Sequence, residues 1–126
     1  SCFPYFNAPE AMADELKNAG FDLFSTANNH SLDSKLSGLR NTLDILDSVG
    51  LHHVGTYRNE EESDSLCIIP INDIKVGFIG CTQSLNGNRL KKSDDFSVDE
   101  FVKQDSAKIA ALSEKIRKMK RKLLNY

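Results

Sequence analysis

The sequence predicts an α/β fold, a layered sheet that contains parallel strands, helical crossovers and one hairpin. In the first half of the chain, segments with helical apolar spacing alternate with short apolar runs, and the connections between them are short. This alternation favours parallel strands joined by right-handed crossovers. Further along, two apolar runs flank Asn72-Asp73, a two-residue turn typical of a β-hairpin.

Each element has its own signal. Pro9 suits a first helical turn and Gly20 a helix end, while Leu39, Leu43 and Leu46 form the apolar stripe of a second helix. The elements are expected in this order: helix 9–20, strand 21–27, helix 37–49, strand 51–55, a polar segment or single helical turn 56–65, strands 66–71 and 74–82 with Cys67 opposite Phe78 and Ile71 opposite Ile74, loop 83–97, and a long amphipathic helix 98–124.

The composition fits one ordinary globular domain over residues 1–126. The chain has 126 residues and a formal net charge of -2, which gives no reason to expect a nucleic-acid partner. It contains no run of about 18 apolar residues, so we expect a soluble chain without a transmembrane segment.

The charge is concentrated at one end of the chain. Residues 108–126 hold seven Lys or Arg and one acid, and six of the eight residues over 115–122 are cationic. Such a helix is either the solvated outer face of a packed element or a surface for anionic lipid or a polyanionic polymer. The solvated face is the simpler interpretation.

The stretch FDLFSTANNHSLD, residues 21–33, is the main candidate for a functional site. If residues 21–27 form a parallel strand, Asn28, Asn29 and His30 stand at its carboxyl end, where α/β sheets bind ligands. An amide oxygen is a hard ligand for a divalent metal, and imidazole is a metal ligand, a phosphate donor or a general acid.

A purely structural role explains the same residues differently. Asn side chains close turns and cap helices well. One cap is enough for the next helix, however, and Asp33 or Ser34 already stands where such a cap is needed. Three consecutive polar residues therefore leave a ligand site open as an explanation.

The motif resembles the CapA-type capsule synthesis proteins of poly-γ-glutamate biosynthesis. The similarity starts with AGFDLFSTANNHSLD at residues 19–33 and continues through Gly38-Leu39, Thr42-Leu43 and Val54-Gly55. It includes the segments RNEE at 58–61, IKVGFI at 74–79 and Asn86-Gly87. In all it covers residues 7–88 continuously, and the last helix more loosely.

The resemblance implies a fold like that of the calcineurin-like metallophosphoesterases and a divalent metal. Asn29 would be a metal ligand and His30 the catalytic imidazole beside the substrate oxyanion, with Asn28 and Asp33 supporting the turn or the helix cap. The implied reaction is metal-assisted hydrolysis or transfer at a phosphoryl or related group.

The resemblance also implies that this chain is the middle part of a longer domain. The family's Asp-bearing strand and Asn-x-Glu segment should lie before Ser1, and its later His-containing segments after the last helix. One Asn and one His fall short of the four to six ligands that such ions take. We therefore expect a divalent metal in the full-length protein and no competent metalloenzyme in this portion alone, and whether this portion binds metal stays open.

Partners and location follow from the same resemblance. It implies a polyanionic polymer or phosphorylated substrate, membrane partners in capsule synthesis, and the outer face of the bacterial cell envelope. Two other functions stay open: a non-catalytic scaffold or assembly factor that holds the polymer, and a general ligand-binding α/β module with a basic helix.

Overall fold

A computed structural model describes residues 10–126 of the chain. The predicted helix start at Pro9 lies outside these residues. The elements are α1 (Glu10–Asn18), β1 (Leu23–Ser25), α2 (Lys35–Ser48), β2 (His52–Val54), α3 (Glu60–Asp64), β3 (Cys67–Ile71), β4 (Ile74–Phe78), a 3-10 helix (Lys92–Ser97) and α4 (Ser106–Leu124).

The predicted α/β fold is confirmed by the parallel pair formed by β1 and β2. Leu23 lies opposite His52 and Ser25 opposite Val54, with α2 as the crossover between the two strands. The apolar stripe of α2 packs inward, and Leu43 at its centre is fully buried. Parallel strands require such a crossover because a tight turn cannot join them.

The predicted hairpin is also confirmed, with its register. In the antiparallel pair of β3 and β4, Cys67 lies opposite Phe78 and Ile71 opposite Ile74. Both turn residues, Asn72 and Asp73, have positive φ (48° and 68°), as a type I′ turn requires. Asparagine and aspartate tolerate that backbone region better than most residues.

The last helix was predicted too long at its start. It begins at Ser106, not at Val98, with Asp105 as its cap: the Asp105 side chain accepts a hydrogen bond from the Lys108 N–H. Residues 97–101 are instead hydrogen-bonded on both sides, because Tyr57 N–H donates to Ser97 O and Phe101 N–H to Thr82 O. These long-range hydrogen bonds override the helical spacing of the apolar residues.

Two predicted strands are also shorter than expected. The strand predicted over 21–27 is regular only over 23–25, and the one over 74–82 only over 74–78. After β1 the chain enters a turn. After β4 the chain leaves its hairpin partner, because the Thr82 N–H donates to Asp99 O. The regular ladders therefore end where the chain turns toward other partners.

The carboxyl ends of β1 and β2 approach each other closely at Gly55. This residue has φ of 104°, and a Cβ there would lie 2.5 Å from Cβ of Ala27. Only glycine fits both the backbone conformation and the space. The close approach fixes the base of the loop that follows β1.

The main core lies between α2 and the loops at these strand ends. Its buried members are Ala27, Leu32, Leu39, Leu43, Leu46, Leu51, Leu85 and Val98. Leu32 and Leu85 belong to the loops after β1 and β4, so both loops are anchored in the core. Within residues 10–126, no helix is both long enough and apolar enough to cross a bilayer.

Candidate functional site at the carboxyl end of β1

The base of the site is a buried pair of threonines. Thr26 follows β1, and both its N–H and its hydroxyl donate to Val54 O, at 2.9 and 3.0 Å. The Thr26 and Thr56 hydroxyl oxygens are 2.6 Å apart. Because the Thr26 hydroxyl donates to Val54 O, the Thr56 hydroxyl donates to Thr26. These bonds hold the ends of the two strands at a fixed separation.

Asn28 and Ser31 shape the turn above this base. The Asn28 side-chain oxygen accepts the His30 N–H at 2.8 Å, which closes an Asx turn. The Asn28 N–H in turn donates to the Ser31 hydroxyl oxygen at 2.8 Å. The side chain of Asn28 is thereby directed at the backbone, while those of Asn29 and His30 are exposed.

Asp33 lies on the imidazole of His30. Its Oδ2 is 2.6 Å from His30 Nδ1, and the two side chains are 32% and 42% exposed. Since a carboxylate only accepts, Nδ1 carries the proton and donates it. In the neutral imidazole this tautomer places the lone pair on Nε2. The cap position of α2 is taken by Ser34, which makes no side-chain cap bond.

Asn86, in the loop after β4, completes the arrangement. Its Oδ1 accepts a hydrogen bond from Asn29 Nδ2 at 3.3 Å, and its Nδ2 lies 3.4 Å from His30 Nδ1. The second contact is the weaker one, because an Nδ1 that donates to Asp33 cannot also accept. Asn86 has φ of 54° and precedes Gly87, so this backbone forms a tight left-handed turn.

Asn86 is a member of this cluster that was not predicted as a site residue from the sequence. The signal was present in the polar Asn86-Gly87-Asn88 segment after a predicted strand. What the sequence does not give is which of the loops beyond the strands folds back onto residues 28–30. The structure brings Asn29, His30 and Asn86 together although more than 50 residues separate the two loops.

The donor types at this site fit a divalent cation in part. Asn29 offers an amide oxygen, while the Asn86 oxygen is engaged by Asn29 Nδ2. His30 offers an imidazole whose other nitrogen is held by a carboxylate, the usual support of a metal-bound histidine. In the part of the chain that the structure describes, no three His, Cys, Asp or Glu residues are grouped so that they could hold a metal. A complete ligand shell needs further groups.

A second polar network joins α4 to the rest of the domain. Lys115 Nζ lies 2.7 and 2.8 Å from the two Asp99 oxygens and 2.9 Å from the Tyr57 hydroxyl, which donates to Asp99 at 2.5 Å. Burial, and then the Asp99 carboxylate, raise the pKa of Tyr57 well above its usual value. The basic helix is therefore attached through one of its own lysines.

A third network joins α2 to the segment after β2. Arg58 contacts Asp44 at 2.6 Å, Glu62 at 2.7 Å, and Asp47. His53 Nε2 lies 2.7 Å from Asp47. Burial acts to raise the pKa of Asp47, but the hydrogen bonds from Arg58 and His53 outweigh it and lower that pKa. His53 is thus tied to a helix, and the adjacent His52 is exposed.

These features define an α/β domain with a cluster of polar, exposed loop side chains at the end of a parallel strand pair. The family model described as bacterial capsule synthesis protein matches residues 1–125. The chain belongs to this family of bacterial capsule synthesis proteins.

Among curated proteins, the chain is similar to proteins y4sH and y4uA of Sinorhizobium fredii, each 31% identical over 80 residues. It is also similar to the capsule biosynthesis protein CapA of Bacillus anthracis, 26% identical over 80 residues. Each alignment covers 64% of this chain but only 17% to 20% of the relative, so the chain spans a small part of their length. No solved structure matches the chain significantly.

Proposed function

We propose that the chain is part of a capsule biosynthesis protein of the poly-γ-glutamate type, with a metal-dependent, phosphoesterase-like site. The observation that carries this proposal is the convergence of Asn29, His30 and Asn86 at the carboxyl end of β1. Exposed side chains there, on loops anchored in the core, are what a ligand site on an α/β sheet requires.

In this proposal, the side-chain oxygen of Asn29 is a metal ligand, and His30 faces the substrate oxyanion. A divalent metal would supply a hydroxide nucleophile at neutral pH and offset the charge that develops on the reacting group. Asn86 orients the Asn29 amide: its Oδ1 accepts from Asn29 Nδ2, so the Asn29 oxygen is directed away from Asn86. The remaining ligands would come from other parts of the complete gene product.

The chemistry of His30 depends on its contact with Asp33. When His30 is neutral, Asp33 holds the Nδ1 proton, and Nε2 is basic. When His30 is protonated, Nε2–H is a donor to a developing oxyanion. Asp33 in this proposal is a positioning residue that acts through His30.

A non-catalytic scaffold or assembly factor is the second candidate. The observation that favours it is that the site's polar groups bond to each other: Asn29 to Asn86, and His30 to Asp33. A cluster whose side chains hydrogen-bond to each other is suited to fixing the conformation of the loops that carry it. In that case the surface would hold a polyanionic polymer or an assembly partner without any reaction.

We place the protein at the outer face of the bacterial cell envelope, with membrane partners in capsule synthesis. Membership of the capsule synthesis family supports an envelope association. The substrate in this proposal is a polyanionic polymer or a phosphorylated precursor.

The proposal is tested by metal titration of the complete gene product, followed by calorimetry. We expect Asn29→Ala to weaken binding of Mn²⁺ or Mg²⁺ about tenfold or more. Asn41→Ala is the matched control, because Asn41 is exposed on α2, away from the loop cluster. If the wild-type protein takes up no divalent metal, the enzymatic proposal fails.

The scaffold is separated from the enzyme by polymer production in cells. We expect His30→Ala to abolish production if the site is catalytic, whereas His52→Ala, at an exposed histidine on β2, should leave production unchanged. Normal production in the His30→Ala strain would favour the scaffold.

A further inference from the structure

A cleft lies directly beside the candidate site, and both of its walls continue from the two loops that meet there. One wall is formed by Leu32, Lys35 and Leu36, after the turn that carries His30. The other is formed by residues 88–91, after Asn86. Its volume is about 340 Å³, which is enough for a small ligand or for one segment of a chain molecule.

Three cations line the cleft against a single carboxylate. The cations are Lys35, Arg89 and Lys91, and the carboxylate is Asp94. Lys35 Nζ is bonded at 3.1 Å to the neutral Asn88 amide oxygen. Across residues 10–126, no carboxylate forms an ion pair with Lys35, Arg89 or Lys91.

A second cavity, of about 360 Å³, shows the opposite arrangement. Its two lysines are both neutralised: Lys108 pairs with Glu100 and Lys115 with Asp99, each at 2.7 Å. The two lysine charges of that cavity are therefore neutralised by carboxylates of the same domain. In the cleft lined by Lys35, Arg89 and Lys91, by contrast, none of the described carboxylates pairs with a cation.

The cations of the cleft are carried by a loop with a fixed backbone. Leu90 stands between Arg89 and Lys91 and packs against the hydrophobic core. Asn88 bonds to Leu85 O through both its N–H and its side-chain amide, each at 3.0 Å. Lys35 has φ of 59°, a conformation that L-residues rarely adopt, and its side chain reaches this loop. The two walls are thus connected.

We infer that this cleft, lined by Lys35, Arg89 and Lys91, binds an oxyanion group of the ligand whose neighbouring part lies at Asn29 and His30. Lysine and arginine bind both carboxylate and phosphate through charge-assisted hydrogen bonds. The two sources of such a group are a carboxylate of an anionic polymer and the phosphate of a phosphorylated substrate. The inference rests on the proposed function for the source of the ligand and for the position of its neighbouring part at Asn29 and His30.

Binding is tested by calorimetric titration of the protein with inorganic phosphate and, separately, with hexaglutamate. We expect saturable binding of at least one probe that weakens as salt rises, because salt screens exposed charges. Tighter binding of hexaglutamate identifies a polymer carboxylate as the source, and binding of phosphate alone identifies a phosphorylated substrate. If neither probe binds, the inference is wrong.

The location is tested with Arg89→Gln/Lys91→Gln. This variant should reduce affinity for the bound probe about tenfold or more, because two charge-assisted contacts are lost. Lys120→Gln/Lys122→Gln removes the same charge from exposed positions on α4 and should change affinity less than twofold. An equal loss in both variants would show non-specific attraction and overturn the inference. If the double variant fails to fold, probe affinity is measured for Arg89→Gln and Lys91→Gln separately.

Failure of the cleft and failure of the metal site give different results. Arg89→Gln/Lys91→Gln should leave Mn²⁺ affinity unchanged, whereas Asn29→Ala should weaken Mn²⁺ binding and leave binding of inorganic phosphate, which occupies only the cleft, in place. Probe binding without any metal uptake would support the cleft and contradict the enzymatic proposal. Metal uptake without probe binding would support the metal site and overturn the cleft.

Discussion

The carboxylate of Asp33 accepts a hydrogen bond from Nδ1 of His30 across 2.6 Å, and this contact fixes the imidazole at the end of β1. The two residues stand three positions apart in a run of turns, so local backbone geometry is enough to bring them together. The consequence is chemical: the contact determines which ring nitrogen carries the proton.

We therefore expect Asp33→Asn to change the tautomer of His30 with little effect on folding. An exposed pair of this kind contributes about 1 kcal/mol or less to stability. Nitrogen NMR of the neutral imidazole should show Nδ1–H in the wild type and a shift toward Nε2–H in the variant. An unchanged tautomer would contradict the assigned contact. Asp22→Asn, at an exposed residue before β1, is the control.

Asn86→Ala should weaken metal binding although Asn86 lies far from the motif in sequence. The variant removes the partner of the Asn29 amide, and loss of such an orienting group typically costs about 10- to 100-fold in affinity. Calorimetric titration with Mn²⁺ checks this result, with Asn41→Ala as the control variant. Wild-type affinity in Asn86→Ala would show that Asn86 does not orient Asn29.

Gly55→Ala should be strongly destabilising and should disturb the site above it. The new Cβ would lie 2.5 Å from Ala27 Cβ, and the backbone has φ of 104°. We expect a loss of about 2 kcal/mol or more in the free energy of unfolding, measured with urea. Gly50→Ala is a matched control: its φ is also positive, at 75°, but nothing lies within 4 Å of the new Cβ. It should cost about 1 kcal/mol.

Lys115→Met should loosen α4. The substitution leaves Asp99 and Tyr57 without their cation in a partly buried place and removes the cation's contact with the Tyr57 ring. We expect the free energy of unfolding to fall by about 2 kcal/mol. Lys120→Met, at an exposed position on the same helix, should change it by less than about 0.5 kcal/mol. Equal effects would show that the network does not hold the helix.

Acid should remove the contribution of Asp47 to stability. The pKa of Asp47 is lower in the folded state than in the unfolded chain. Its contribution to stability is therefore fully present above the unfolded-state pKa and is lost as pH falls through the folded-state pKa. The stability difference between wild type and Asp47→Asn should therefore shrink from pH 6 to below pH 3. Because the side chain is 46% exposed, the effect should be modest. A difference that grows with acid would contradict the assignment.

The sequence predicted the elements whose causes are local. Gly20 follows the first helix as expected, with a positive φ, and Asn72-Asp73 set the hairpin register. The segment after Ser97 was missed because its apolar spacing is compatible with a helix. Its extended form depends on Gly55 and Thr82, which are distant in sequence.

In the candidate site too, the residues that are close in sequence could be predicted and the distant ones could not. Asn28, Asn29, His30 and Asp33 form one contiguous motif, and its position after β1 could be inferred from the strand that precedes it. Asn86 could not be placed there, because the return of its loop depends on Leu85 entering the core. The cleft could not be predicted for a related reason: Arg89 and Lys91 line one surface with Lys35 only because the loops that carry them meet in the fold.

The central claim, that Asn29, His30 and Asn86 share one ligand site, is tested most directly by paramagnetic relaxation with Mn²⁺ on the complete gene product. Substoichiometric Mn²⁺ should broaden the NMR signals of these three residues first and leave those of the β3–β4 turn at Asn72 and Asp73 sharp. Broadening at the hairpin or along α4, with sharp signals at Asn29 and Asn86, would contradict the account.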